Sequence, residues 1–266
     1  MPAHAGLPHA ATPPRTQPMP RFSLYHSRDA RSLRVLWTLK ELNLKRGVDY
    51  SLHTLKFPPR QHHAAFLERN PLGTVPWFEH QEKRDTTPRA SMSESCAVPL
   101  YLAELCDSPL RLRIHNREYG AFLNWCHQAD ATLTFPQTVT MRYALFERDK
   151  GLGGAADDYA KWFIARLRLL TAALSDGRPY LVGGRFTVAD ICIAYALFNA
   201  SADGVCGAGL AQLGEAPLSE RFKPPVAAYL ARMTARRGFQ LAQQEQAADD
   251  AEAAQPESRT ASDRTE

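Results

Sequence analysis

Three short stretches of this sequence carry side chains whose types and spacing suggest chemistry. Tyr25-His26-Ser27-Arg28-Asp29-Ala30-Arg31 places a hydroxyl in a polar turn just ahead of an apolar run. Serine is a preferred helix N-cap, and Ser27 and Ser32 compete for that role here. Ser93-Glu94-Ser95 directly precedes a second apolar run, Cys96-Ala97-Val98, so Ser95 falls at a helix N-terminus. First-turn amides and a hydroxyl suit an anion, and Glu94 is an acid able to accept from an ammonium. An ordinary N-cap beside a solvated acid uses the same residues. Between these stretches, Asn70-Pro71-Leu72-Gly73-Thr74-Val75-Pro76 reads as a Pro/Gly turn leading into a strand.

Other chemistries find no residues. Cys96, Cys106, Cys126, Cys192 and Cys206 are odd in number, form no C-x-x-C pair and lack partners at zinc spacing. They read as small core residues of a protein from a reducing compartment, and no metal is expected. No phosphate-binding glycine loop, H-E-x-x-H or G-x-S-x-G is present.

The elements that must position the three stretches follow from periodicity. Arg21 to His26 alternates as a strand, and Ser32 onward has helical spacing until Gly47. Tyr50 to Lys56 is a second strand, stopped by Pro58-Pro59. A short helix follows over Ala64 to Arg69, then strands from Trp77 and over Ser91 to Ser95. This is an α/β half built on a βαβ unit. The polar stretch from His80 to Ala90 reads as a long surface loop between the last two strands. After Asp107-Ser108-Pro109 only helical periodicity remains, at Tyr119 to Ala131, Ala156 to Leu174, Val188 to Ala200 and Val226 to Thr234.

The boundaries expected are a disordered leader over 1–20, an α/β domain over 21–107, a helical domain over 108–246 and a disordered tail over 247–266. Met19 stands as a second candidate start. With 266 residues, 44% hydrophobic and 23% charged, the chain is long enough for a sizeable core. Its net charge of +4 is spread over interleaved acids and bases, which argues against nucleic acid. No apolar run reaches the length of a membrane span, and residues 1–20 lack the apolar region of a signal peptide. No membrane association is expected, and the location expected is cytoplasmic.

In this order, the motifs resemble those of the glutathione transferase superfamily over about Arg21 to Gln240. The resemblance implies a thioredoxin-like N-terminal domain followed by an all-helical C-terminal domain. It also implies glutathione as co-substrate, a small electrophile as second substrate, and a homodimer. Serine-type members, those of theta, delta and zeta kind, place the catalytic hydroxyl at the position of Ser27. A thiol of pKa ~8.5 is only slightly ionised at neutral pH, so a hydroxyl donating to sulfur favours the thiolate.

The same resemblance makes Pro76 a cis-proline that turns the backbone of Val75 toward the cysteinyl unit of glutathione. Glu94 and Ser95 would hold the γ-glutamyl end. Gln61 and His62, near Lys56 and Arg60, would meet the glycyl carboxylate. Trp125, Phe135, Met141, Arg142 and Tyr143 are candidates for the electrophile pocket. Thr187 and Asp190, flanked by Phe186 and Ile191, form a capping box with its hydrophobic staple. Ala30 stands where many relatives carry Ser or Cys, which excludes a cysteine mechanism at that position. A non-catalytic binding or assembly module on the same fold is the alternative reading.

Overall fold

The computed structural model describes residues 21–82 and 87–253. The expected leader, the middle of the His80 to Ala90 loop and the last thirteen residues of the expected tail lie outside the described residues. The first domain comprises β1 (Arg21–His26), α1 (Leu33–Glu41), β2 (Tyr50–Thr54), α2 (Pro59–His62), α3 (Ala64–Arg69), β3 (Trp77–Gln81), β4 (Ala90–Met92) and α4 (Ala97–Leu105). Its four-stranded sheet has the order β2-β1-β3-β4, with β1 parallel to β2 and antiparallel to β3, and β4 antiparallel to β3. This is a thioredoxin-like sheet, as the resemblance implied, and β1, α1 and β2 form its βαβ unit.

Register decides which loops meet. In the β1–β3 ladder Tyr25 faces Trp77, and in the β3–β4 ladder Phe78 faces Met92. Both ladders run out at one edge of the sheet. Counted past their ends, the same registers would set Ser27 opposite Val75 and Val75 opposite Ser95.

The second domain is helical: α5 (Tyr119–Gln128), α6 (Phe135–Met141), α7 (Gly153–Arg166), α8 (Arg168–Leu174), α9 (Val188–Asn199), α10 (Val205–Gln212), α11 (Pro224–Thr234) and α12 (Arg237–Ala253). A wide π-helical stretch at Ala129–Thr134 joins α5 to α6, and a second at Arg142–Phe146 follows α6. Among the described residues, no helix is long and apolar enough to cross a membrane. Helix α9 is buried at every position from Val188 to Asn199 and forms the axis of this domain.

Its start carries the expected capping box in full. Thr187 N–H donates to Asp190 Oδ2 at 2.9 Å, and Asp190 Oδ1 accepts from Leu181 N–H at 3.0 Å and the Tyr229 hydroxyl at 2.8 Å. Burial pushes the Asp190 carboxyl above its ordinary range, and these donors oppose that rise.

Helix α1 lies between the domains. Leu33 through Leu39 are all buried, and Trp37 meets Phe186 and Phe239 of the second domain with ring centroids 5.7 and 5.0 Å apart. A helix covered on both sides has no polar face, unlike the one-sided helix of a small domain.

The boundary at 247 is corrected. Helix α12 continues to Ala253 because its polar side chains are anchored on the first domain. Tyr50 donates to Glu245 at 2.9 Å, Thr54 donates to Asp249 at 2.5 Å, and Arg46 pairs with Asp249. Four of the five cysteines are buried and Cys106 is partly so; all are free thiols, as the core reading expected.

Candidate functional site

Ser27, Val75 and Ser95 each lie just beyond the end where the two ladders run out. The β1–α1 turn is held from inside. Ser27 is 1% exposed, and its hydroxyl donates to the Leu55 carbonyl at 2.7 Å. Its N–H donates to Ser32 Oγ at 3.3 Å, and Ser32 Oγ lies 2.8 Å from His26 Nδ1. Both serines are therefore turned into the protein.

Asp29, in the left-handed region at φ 52°, is tied to the second domain on every polar atom group. Its N–H donates to Gln246 Oε1 at 3.2 Å, and its Oδ1 accepts from Gln246 and Gln243 at 2.6 and 3.2 Å. Its carbonyl accepts from the Tyr195 hydroxyl at 3.0 Å. The Ala30 N–H closes the turn onto Ser27 O at 3.1 Å.

The second component is the turn before β3. Asn70, 1% exposed, knits it by donating to Thr74 O at 2.8 Å and accepting from Leu72 N–H at 3.1 Å. Gly73 has φ +59°, and a Cβ there would collide with the Arg60 and Leu67 side chains, so only glycine lets α2 and α3 close on this turn. The Val75–Pro76 bond is cis, as expected. Phe57–Pro58 is also cis, which the sequence reading did not include. Neither the N–H nor the C=O of Val75 pairs with any described residue. A donor and an acceptor on one residue, both unclaimed, form the edge of a strand awaiting a partner.

The third component is the start of α4. The Glu94 carbonyl takes the Ala97 and Val98 N–H groups, each at 3.1 Å. The N–H groups of Ser95 and Cys96 are left without an acceptor among the described residues. Glu94 is exposed, while Ser95 is 2% exposed with its oxygen accepting from Arg34 Nη1 at 2.7 Å.

Arg34 is the residue the sequence reading missed. It is fully buried and donates to Ser95, to Asp130 Oδ1 at 2.5 Å, to Thr134 Oγ1 at 2.9 Å and to the Cys192 carbonyl at 3.2 Å. Its guanidinium also lies 4.6 Å from the Tyr195 ring. Burial alone would raise the Asp130 carboxyl, but Arg34 outweighs it and holds the group below its ordinary value. With Arg34 donating to its oxygen, the Ser95 proton is directed elsewhere, so the hydroxyl is left as a donor at the sheet edge.

Gln61 and His62 are exposed on α2, and their side chains make no hydrogen bond to a described residue. Their neighbour His63 is engaged, its Nε2 accepting from Lys56 N–H at 3.0 Å.

The residues expected to line the electrophile pocket differ in their surroundings. Trp125 is 7% exposed and belongs to the core, and Phe135 packs on Tyr159 of α7 at 6.0 Å. Met141 packs against the core cluster. Arg142 is exposed, pairs with Glu147 at 2.9 Å and covers the Tyr143 ring at 5.4 Å. Besides the buried Trp37 contacts, an exposed aromatic pair spans the two domains, Phe57 and Phe146, 5.8 Å apart and both about half exposed. Deeper in, Arg31 Nη2 donates across the cleft to Thr138 Oγ1 at 2.7 Å.

Comparison with known proteins identifies the family and the fold. A model of the glutathione S-transferase N-terminal domain matches residues 20–104, and a model of the C-terminal domain matches residues 163–232. No curated protein matches the chain in sequence. Among solved structures, the chain resembles the glutathione transferase URE2P8 of Phanerochaete chrysosporium with oxidized glutathione. The identity is 20%, with 86% of this chain and 96% of that chain covered and a TM-score of 0.69. A glutathione transferase family member from Pseudomonas fluorescens with two glutathione bound is 22% identical over 86% of this chain and 95% of that one, at 0.68. Ure2p5 of P. chrysosporium, cocrystallized with 1-(S-glutathionyl)-2,4-dinitrobenzene, is 19% identical over 89% and 99%, at 0.67.

Proposed function

Because the chain belongs to the glutathione S-transferase superfamily, we propose that it binds glutathione along the Ser27–Val75–Ser95 edge and transfers its sulfur to a small electrophile. The observation that carries this reading is the unclaimed N–H and C=O of Val75, level with the free first-turn amides of α4. A tripeptide laid beside Val75 pairs as a short added strand. Its γ-glutamyl carboxylate then meets the Ser95 hydroxyl and the Ser95 and Cys96 amides, and its ammonium meets Glu94. Its glycyl carboxylate extends toward α2, where Gln61, His62 and the Lys56 ammonium are candidate donors.

Pairing at Val75 sets the thiol at the β1–α1 turn. There the sulfur gives its proton to solvent, and its lone pair forms a bond to the electrophilic carbon as the leaving group departs with its own pair. The protein contributes orientation and a field that favours the anion. An apolar or aromatic electrophile fits the cleft beside Phe57 and Phe146. Ser27, the hydroxyl assigned to sulfur from sequence, must first release the Leu55 carbonyl to take that role. The same family reading carries a homodimer, which sedimentation tests.

Burial of the Ser27 hydroxyl also favours a second reading, a module that binds glutathione without turning it over. Titration calorimetry with glutathione, followed by turnover with an activated aryl halide, separates the two. Millimolar or tighter binding, weakened at least tenfold in Glu94→Gln and Ser95→Ala, supports the site. Binding without turnover leaves the module, and no binding by the wild type at millimolar glutathione removes both.

A further inference from the structure

The β1–α1 turn presents the ligand with no free hydroxyl. Ser27 donates to Leu55, Ser32 is locked between Ser27 and His26, Asp29 is held by Gln243 and Gln246, and position 30 is alanine. An anion at this turn must therefore be met by something else. The turn contains two arginines with different surroundings. Arg28 is half exposed and lies 3.5 Å from Asp29 Oδ2, which offsets its charge. Arg31 is partly buried and makes no ion pair with any described carboxylate; its Nη2 reaches a neutral acceptor, Thr138, on the far wall of the cleft.

A guanidinium keeps its charge at any working pH, and with one nitrogen spent on Thr138 it retains several donors. The backbone N–H of Arg31 is likewise without an acceptor among the described residues. Two tight turns, Ala30 N–H to Ser27 O at 3.1 Å and Leu33 N–H to Ala30 O at 2.9 Å, fold residues 27 to 33 compactly and hold Arg31 close to Ser27 in the chain.

We propose that Arg31 is the cationic partner of the glutathione sulfur, and that Ser27 acts only by locking the turn that presents it. This rests on the glutathione-binding reading above. Thr138 fixes the guanidinium from the opposite domain, so the charge is in place before the thiol arrives. Low dielectric in the cleft strengthens a fixed charge over one that must reorganise. Each tenfold gain in thiolate fraction corresponds to one unit of lowered thiol pKa.

The test reads the ultraviolet absorbance of bound glutathione thiolate against pH, with no electrophile present. It uses wild type, Arg31→Gln, Arg31→Lys and Ser27→Ala, each checked for native circular dichroism and for glutathione affinity by calorimetry. The expected result is a bound-thiol pKa raised by about one unit or more in Arg31→Gln. Arg31→Lys should be partly rescued by its point charge, and Ser27→Ala, which only loosens the turn, should raise the bound-thiol pKa by less than Arg31→Gln does. A normal thiolate titration in Arg31→Gln overturns the proposal, as does a large upward shift confined to Ser27→Ala. Either of those outcomes keeps the glutathione site itself, whereas failure of the wild type to bind glutathione removes the parent reading.

Discussion

Arg34 on α1 and Asp130 in the π-helical stretch after α5 form an ion pair that crosses from one domain to the other. Nη1 and Oδ1 are 2.5 Å apart, the arginine side chain fully buried and the aspartate one-quarter exposed. The pair does two jobs, because the same Nη1 also holds Ser95 at the sheet edge. Asp130→Ala leaves a buried guanidinium without its counter-charge and should destabilise the fold by about 3 kcal/mol, measured by urea unfolding. Since the Asp130 carboxyl is held low in the fold, its contribution is full at neutral pH. It fades as acid protonates it, so mutant and wild-type stabilities should converge at low pH.

Gly73 makes a second, local prediction. Gly73→Ala combines a left-handed backbone with collisions against Arg60 and Leu67. A loss of about 1–3 kcal/mol is expected, together with weaker glutathione binding in calorimetry, because the turn bearing Val75 must shift. Unchanged affinity would separate this turn from the site.

The capping box is expected to act on stability alone. Thr187→Ala should cost about 1 kcal/mol, seen as a few degrees in thermal unfolding. Asp190→Ala should cost more, since Leu181 N–H, Thr187 N–H and the Tyr229 hydroxyl all lose their acceptor. Neither change should alter the KM for glutathione in steady-state kinetics once the protein is folded.

His80 predicts a pH dependence. It is fully buried, with Nδ1 2.6 Å from the Tyr101 hydroxyl, and burial lowers its pKa below the ordinary value near 6.5. The unfolded chain therefore binds a proton that the fold resists, so stability should fall as pH drops from 7.5 to 5.5. His53, lowered first by burial and then by Arg69, acts in the same direction. Denaturant titrations at the two pH values should show a smaller decrement in His80→Gln than in wild type. An identical decrement would remove His80 as a source.

What could be read from the sequence was whatever rests on local pattern. Alternation located β1, spacing located α1, and Thr187 with Asp190 announced the start of α9. The Asn70 to Pro76 turn was legible because glycine and proline restrict the backbone by themselves. Contacts between distant polar residues were not. Arg34 sits in an apolar run and reads as the solvated position of a one-sided helix; only the second domain, closing over α1, buries it. Ser27 was placed at the right turn, but the direction of its hydroxyl depends on Leu55, at the end of a different strand. The last turns of α12 were taken for a tail because the residues that anchor them are Glu245, Gln246 and Asp249, polar groups whose partners lie in the first domain.

The reach of Gln246 to His26 and Asp29 has a consequence for how the molecule comes into being. The two sides of that contact are separated by 220 and 217 positions along the chain. Local turns form early and long-range closures late, since the loop entropy must be met first. During synthesis the β1–α1 turn would emerge long before α12 and wait for its Gln246 contacts until 217 further positions had been added. A nascent or shortened chain could thus carry a folded sheet while its thiol-facing turn still fluctuated, which makes completion of α12 the event that finishes the mouth of the site.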